Sequence, residues 1–174
     1  MDILNRNFAV FDLETSGLDK NRDYIIEVGA VKIENGVICD RFSTLVNTQQ
    51  MTELPEEIEK LTGIKFSELQ SAPSVVTALQ ELYDFANGCT FVAHNAPFDT
   101  AFLGNWGFWC GIDFYTATRG AIDTVKLAQE ILGAKVKNYK LSTIAEYFKI
   151  EFTPHRALDD AEATAKIFLE LAKN

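Results

Sequence analysis

Apolar positions follow two different periods along the chain. Residues 8–13 (FAVFDL) form a short apolar run of strand-like composition, and residues 24–33 (YIIEVGAVKI) are apolar and β-branched. A third such run covers residues 37–46. Between the last two stands Glu34-Asn35-Gly36, where Asn-Gly supplies the positive φ angles of a tight hairpin. The chain is therefore predicted to open with a three-stranded meander. Helical spacing then takes over. Pro55 is expected at the first helical position of residues 56–61, which Gly63 ends. Pro73 opens residues 74–86, where Val75, Leu79, Leu82 and Phe85 share one side. Thr90–Ala93 reads as a short strand, residues 97–106 as a helix and residues 113–115 as a fifth strand. Residues 122–132 and Leu141–Phe148 are predicted amphipathic helices. Residues 157–171 make the last helix, with Ala161, Thr164, Ile167, Phe168 and Leu171 toward the core.

Early antiparallel strands followed by β–α–β crossovers imply an α/β fold with a mixed five-stranded sheet flanked by helices. No linker rich in Gly, Pro or Ser interrupts the chain, so residues 1–174 are expected to form a single domain. Composition agrees: hydrophobic residues are 47% and charged residues 24%, which excludes a disordered, collagen-like or membrane-embedded chain. The net charge of −9 excludes a protein that coats nucleic acid through a broad basic surface. Any contact with nucleic acid must be local, with metal ions offsetting the repulsion. Cys39, Cys89 and Cys110 are odd in number and lack CxxC spacing, so they are expected as small buried hydrophobes in a reducing compartment. The polar stretch 1–6 lacks the apolar region of a signal peptide, and no apolar run approaches the ~20 residues of a membrane span. A cytoplasmic protein with no membrane contact is expected.

Three segments carry candidate chemistry. In Phe11-Asp12-Leu13-Glu14-Thr15, residues two apart leave the same face of a strand, so Asp12 and Glu14 stand side by side. Two such carboxylates repel and resist desolvation, and a divalent cation with oxygen ligands relieves both costs. In Val92–Asp99 (VAHNAPFD) a strand runs into a helix start, with Asp99 in the first turn. His94 alone reads equally well as a satisfied structural histidine. In Pro154–Ala161 (PHRALDDA) His155 precedes a helix whose first turn holds Asp159 and Asp160. Helical spacing turns Asp160 toward the sheet and leaves Asp159 to solvent. Together these segments supply four carboxylates and a histidine. Such a set can hold two metal ions, which promote in-line phosphoryl transfer, together with a base that titrates near neutrality.

The three ordered motifs FDLETSGL (11–18), HNAPFD (94–99) and HRALDDA (155–161) resemble those of the DEDDh-type 3′→5′ exonucleases, a family that includes the proofreading epsilon subunit of bacterial DNA polymerase III. The resemblance spans nearly the whole chain. It implies a ribonuclease H-like fold, two Mg²⁺ or Mn²⁺ ions, and release of nucleoside 5′-monophosphates from single-stranded or frayed 3′ ends. Position by position, it makes Asp12, Glu14, Asp99 and Asp160 the metal-binding acids and His155 the general base. Thr15 and Leu18 fall where members touch the terminal nucleotide through backbone and an apolar wedge. Asn95 and Phe98 take the nucleotide-facing positions of the second motif. Glu57 and Thr62 align with a further terminal-nucleotide pair, although the epsilon subunit has histidine in place of Thr62. The final predicted helix ends almost at Asn174, so the resemblance does not extend to the polymerase-tethering tail of epsilon; a surface contact with a polymerase stays open.

DNA is the expected substrate. The closest rival is an exoribonuclease related to ribonuclease T or oligoribonuclease, because telling RNA from DNA depends on contacts to the 2′-hydroxyl. A non-catalytic nucleic-acid binding module is disfavoured, since it has no use for a costly acidic cluster and would carry a basic surface.

Overall fold

The computed structural model describes residues 6–173. The reading of the N-terminal stretch as free of a signal peptide falls largely on residues 1–5 and so lies outside the described residues. Three antiparallel strands open the chain: β1 (Phe8–Thr15), β2 (Ile25–Glu34) and β3 (Val37–Leu45). The β2–β3 turn is made as expected, with Asn35 at φ 52° and Gly36 at φ 75°. Helices α1 (Glu56–Thr62), α2 (Phe66–Gln70) and α3 (Val75–Phe85) follow. Next come β4 (Thr90–Ala93), α4 (Ala96–Cys110), α5 (Phe114–Ala117), β5 (Ile122–Asp123) and α6 (Thr124–Leu132). A single 3₁₀ turn leads to α7 (Leu141–Phe148) and α8 (Ala157–Ala172). The strands form one sheet in the order β3-β2-β1-β4-β5, with β4 and β5 parallel to β1. The mixed five-stranded sheet flanked by helices is the one the sequence predicts.

Alternation along β1 sorts its side chains between two apolar layers. Ala9, Phe11 and Leu13 point to one face, where they are buried with Leu79 and Leu82 of α3 and Phe102 of α4. Phe8 and Val10 point to the other face, where α8 contributes Ala161, Ala165 and Phe168. Phe8 and Phe168 meet edge to face at 4.9 Å between centroids, a favourable aromatic geometry. Asp12 and Glu14 continue the Phe8–Val10 row, so they emerge on the face that α8 covers.

The approach of α8 to that face is close. Gly29 pairs with Asp12 across β1 and β2, and a Cβ at residue 29 would fall on the backbone of Ala157 and Leu158. Only glycine lets the first turn of α8 lie on the strand at this point.

Several boundaries differ from expectation, each for a local reason. Residues 113–115 do not form a strand: Asp113 caps a short helix by accepting from the Thr116 N–H at 2.9 Å, and Phe114 is buried beneath it. The fifth strand is instead Ile122–Asp123, the first two residues of the segment read as helical. The helix proper starts at Thr124, capped by Asp123. Pro55 is the N-cap of α1 rather than its first helical residue, and Ser74 rather than Pro73 marks the start of α3. Helix α4 runs on to Cys110, and α2 was not foreseen. The three cysteines are free, but Cys39 is exposed and the other two only half-buried, so none is the buried hydrophobe expected. Among the described residues no helix is long and apolar enough to cross a membrane.

Gly29→Ala should therefore push α8 off β2. A loss of ~1–3 kcal/mol is expected, the usual range for an overpacked contact, and equilibrium urea unfolding measures it. Wild-type stability in this variant would show that the close approach constrains nothing.

Candidate active site

The ladder geometry of β1 explains how Asp99 reaches the two acids of the strand. β1 pairs with β4 only along Phe8–Val10, so beyond Val10 its outer edge lacks a neighbouring strand. The first turn of α4 stands in that gap. Asp99 accepts the Leu13 N–H at 3.2 Å, giving a buried backbone donor the partner it would otherwise lack. This bond occupies Oδ1 of Asp99. Asn95 fixes the turn that starts α4. It sits in the left-handed region at φ 65° and donates its N–H to Asp123 Oδ1 at 3.1 Å. Asp123 also accepts from the Val125 N–H, so one carboxylate ties the starts of α4 and α6 together.

His155 and Asp160 arrive together at the start of α8. Asp160 is buried, and its Oδ2 accepts the His155 N–H at 2.8 Å. His155 is held at φ 68°, a conformation that non-glycine residues rarely adopt. The turn leaves the imidazole exposed at the rim of the cluster. Glu14, His155 and Asp160 each offer a ligand atom within 4.8 Å of the others. Asp159 is exposed, as its helical position predicts. His94 is not part of this group. Its ring is shared between Thr124 Oγ1 and the Tyr139 carbonyl, both at 2.9 Å, and burial holds its pKa below the usual histidine value. The structural reading of His94 is the one the geometry supports.

Electrostatics set these carboxyls apart from ordinary surface acids. Burial pushes Asp12 well above the usual carboxylate range, and the charges of Asp99, Asp160, Glu14 and Glu27 push the same way. Burial, with Asp160 and Glu27, raises Glu14 to about 8, opposed by Arg156. Burial likewise raises Asp99 to about 8, against the stabilising bond from Leu13. Asp160 is pushed up to about 6 by burial, against the bond from His155. Metal-free, the cluster is a set of carboxyls that favour neutrality. The donor set suits hard divalent cations: oxygen ligands, close together, with one oxygen each of Asp99 and Asp160 already pinned by backbone.

The positions implied for nucleotide contact divide by exposure. Leu18 follows β1 in a turn and is 86% exposed, which removes core packing as its role. Phe98 is half-buried and packs on Phe102 with centroids 5.0 Å apart. Thr15 is buried and donates its hydroxyl to the Gly17 carbonyl at 2.6 Å. Asn95 is exposed, and its side chain makes no cap bond to α4. Glu57 is exposed on α1. Thr62 is buried, with its hydroxyl donating to the Ile58 carbonyl and accepting from the Ile64 N–H.

Two residues that sequence reasoning passed over organise the site. Glu27 lies opposite Glu14 in the β1–β2 ladder and is 1% exposed. Arg156 donates to its Oε1 from Nη2 at 2.7 Å and from Nε at 3.2 Å, and the Ala157 N–H donates to Oε2 at 2.9 Å. Glu27 thus anchors the residue after His155 and caps the first turn of α8. The available signal was a lone carboxylate in the middle of an apolar strand, IIEVGAVKI, which has to find a buried partner.

An acid cluster best satisfied by divalent cations, with a histidine at its rim, is the equipment of a phosphodiester hydrolase. The chain belongs to the exonuclease family, whose model matches residues 9–168. It is 42% identical over 169 residues to the PolC-type DNA polymerase III of Caldanaerobacter subterraneus subsp. tengcongensis, a match covering 97% of this chain but 12% of that polymerase. The chain thus spans about an eighth of the length of that relative. Among solved structures, it resembles the nuclease domain of 3′hExo, a DEDDh family member, bound to rAMP. The TM-score is 0.82 at 20% identity, covering 96% of this chain and 92% of the other. It also resembles E. coli exonuclease I in complex with a dT13 oligonucleotide, with a TM-score of 0.83 at 15% identity, covering 96% of this chain and 41% of the other. The fold is accordingly ribonuclease H-like, as the motifs implied.

The raised carboxyls make a stability prediction with a definite sign. Their folded pKa values lie above those of the unfolded chain, so raising the pH strips protons from the unfolded chain first and stability falls. Two other shifted groups do not interfere. Glu162 is held down at about 2, and its stabilisation is constant above pH 6. His94 is lowered, and it costs stability only below its unfolded value of ~6.5. The melting temperature of metal-free protein should therefore fall between about pH 6.5 and 8.5, and Mn²⁺ should raise it more at the upper end. Asp12→Asn should flatten the decline. A metal-free melting curve independent of pH in scanning calorimetry would contradict this account.

Proposed function

We propose that this chain is one exonuclease domain that removes nucleotides from 3′ ends of DNA and releases nucleoside 5′-monophosphates, acting in the cytoplasm on single-stranded or frayed ends. The convergence of Glu14, His155 and Asp160 within 4.8 Å, on the strand face that also carries Asp12, is the observation that carries this reading. Asp12, Glu14, Asp99 and Asp160 would hold two Mg²⁺ or Mn²⁺ ions. When bound, these supply positive charge that offsets the acids and the scissile phosphate and stabilises the charge developing there.

The chain's own groups do the rest. His155, exposed at the rim, takes a proton from the attacking water. The water oxygen bonds to phosphorus, the P–O3′ bond breaks with its electron pair staying on O3′, and that oxygen is reprotonated from solvent. Asp160 holds His155 in place through its backbone N–H, and Glu27 does so through Arg156. Leu18 wedges against the terminal nucleotide, beside Thr15, Asn95 and Phe98. Glu57 brings a carboxylate to the same nucleotide. Thr62, whose hydroxyl is committed within α1, contributes there through shape.

DNA is favoured because the relative of 42% identity is a DNA polymerase III and a structural neighbour is complexed with dT13. That similarity also supports association with a polymerase. The exoribonuclease reading draws on one observation, the rAMP bound to the neighbour whose chain is covered almost end to end. Rates on 3′-labelled DNA and RNA strands of the same sequence decide between them, with DNA expected to be cut faster.

Two variants separate the ligand from the base. Asp12→Ala should abolish activity and weaken Mn²⁺ binding. His155→Ala should slow the reaction by roughly 10²–10⁴-fold, the usual worth of general acid–base catalysis, and leave Mn²⁺ binding intact. Calorimetric Mn²⁺ titration and single-turnover rates read both. A His155→Ala enzyme of full activity ends the assignment of His155 as base, and activity that survives exhaustive chelation ends the metal-dependent mechanism.

A further inference from the structure

A groove of about 720 Å³ runs along the outer side of α4, and it differs in charge and composition from the rest of the molecule. Its lining includes Lys20, Pro97, Gly104, Phe108, Tyr115 and Arg119. Both of its charged residues are cations, in a chain whose net charge is −9. Among the described residues neither Lys20 nor Arg119 forms an ion pair. The nearest acids in sequence are committed elsewhere. Asp23 accepts the Asp19 N–H, Asp19 accepts the Asn21 N–H, Asp123 accepts the Asn95 and Val125 N–H groups, and Asp113 caps α5. Phe108 and Tyr115 are 78% and 79% exposed, and both rings line this one groove.

Place in the fold links this groove to the active site. Pro97 lies in the same first helical turn as Phe98 and Asp99, and Lys20 follows Leu18 by two positions in the turn after β1. The Asn105 side chain donates to the Lys20 carbonyl at 2.6 Å and holds that turn against α4. From Pro97 to Phe108 the helix rises ~16 Å. At ~3.4 Å per stacked nucleotide this is room for about five.

We infer that this groove is the track for the nucleotides on the 5′ side of the scissile bond in a single strand of DNA. The inference rests on the exonuclease reading and extends it to a binding surface. Bases stack on Phe108 and Tyr115, Lys20 and Arg119 neutralise phosphates, and the strand's 3′ end is delivered past Pro97 to the acid cluster. Exposed aromatics interleaved with cations are the means by which proteins hold single strands without reading sequence.

The test uses a 5′-fluorescein-labelled, twelve-nucleotide oligothymidylate with phosphorothioate linkages, which survives in Mg²⁺ buffer, and follows binding by anisotropy. The double variant Phe108→Ala/Tyr115→Ala should weaken binding at least about tenfold. Lys20→Ala/Arg119→Ala should reduce the slope of log K against log[salt] by ~1.4, or ~0.7 for each phosphate that is no longer neutralised. Gly104→Leu should also weaken binding at least about tenfold by filling the groove. A Cβ there has no heavy atom within 4 Å, so the substitution brings no clash at the backbone, and an unchanged melting temperature checks that the fold is kept. A trinucleotide, which ends inside the active site, should bind all three variants as it binds wild type. If the variants bind the long strand as tightly as wild type, or wild type does not bind it, the inference is overturned, including the case in which the groove seats a protein segment. Failure of the exonuclease reading looks different: groove-dependent binding persists, but unmodified oligothymidylate stays uncut.

Discussion

The first turn of α8 lies against the backbone of β2 at Gly29, and the geometry of the acid cluster follows from that contact. Gly29 is the ladder partner of Asp12, so a helix seated there delivers Asp160 and His155 onto the strand that carries Asp12 and Glu14. The remainder of α8 is held by apolar packing of Ala161, Ala165 and Phe168 against Phe8, Val10 and Val31. Apolar burial is non-directional and fixes only which face of the helix meets the sheet. The position of its end requires directional contacts. Glu27 supplies them through Arg156 and the Ala157 N–H, and Arg41 of β3 adds a pair with Glu162 at 2.8 Å. The two ion pairs are not equivalent. Arg41–Glu162 is open to solvent and contributes little, whereas Glu27 is buried and leaves an unpaired charge if Arg156 is removed.

The cluster works against the fold that holds it. Burial makes four carboxyls resist ionisation, and the charges of Asp99, Asp160 and Glu14 add to that resistance at Asp12. The protein tolerates this because apolar layers on both faces of the sheet hold the strand and helices regardless of the charge state. The left-handed backbone of His155 is a similar local cost, sustained by the Asp160 bond on one side and the Glu27 clamp on the other. On the proposed function, cations and a phosphodiester between these groups would make favourable what is unfavourable alone, and that difference is the basis of metal-assisted hydrolysis.

What could be read from the sequence was whatever depended on local periodicity. The two-residue spacing of Asp12 and Glu14 placed both on one face, Asn35-Gly36 made the hairpin, and helical spacing turned Asp160 inward and Asp159 outward. What could not be read depended on partners remote in the chain. Glu27 is one carboxylate in an apolar strand until Arg156 arrives from 129 positions away. Asp123 reads as the second residue of a helix because β5 is two residues long and is defined by its pairing with β4. Residues 113–115 have strand-like side chains, but the Asp113 cap and the burial of Phe114 decide for a helix. Local propensity in so short a segment is outweighed by one cap and one buried ring.

Charge distribution then connects the site to its surroundings. A protein of net charge −9 repels a polyanion at a distance, so recognition must come from short-range contacts concentrated near the reacting end. The acid cluster cannot attract a strand without cations. The cation-lined side of α4 can, because Lys20 and Arg119 face it with no acid among its lining residues. On the track proposed above, attraction along α4 and repulsion elsewhere would restrict productive binding to strands that enter lengthwise with a free end. A duplex presents its paired bases to neither Phe108 nor Tyr115 and meets the acidic remainder of the surface with twice the phosphate density. On the same reading, the charges that make the cluster costly to fold would also help to select which end of which strand reaches it.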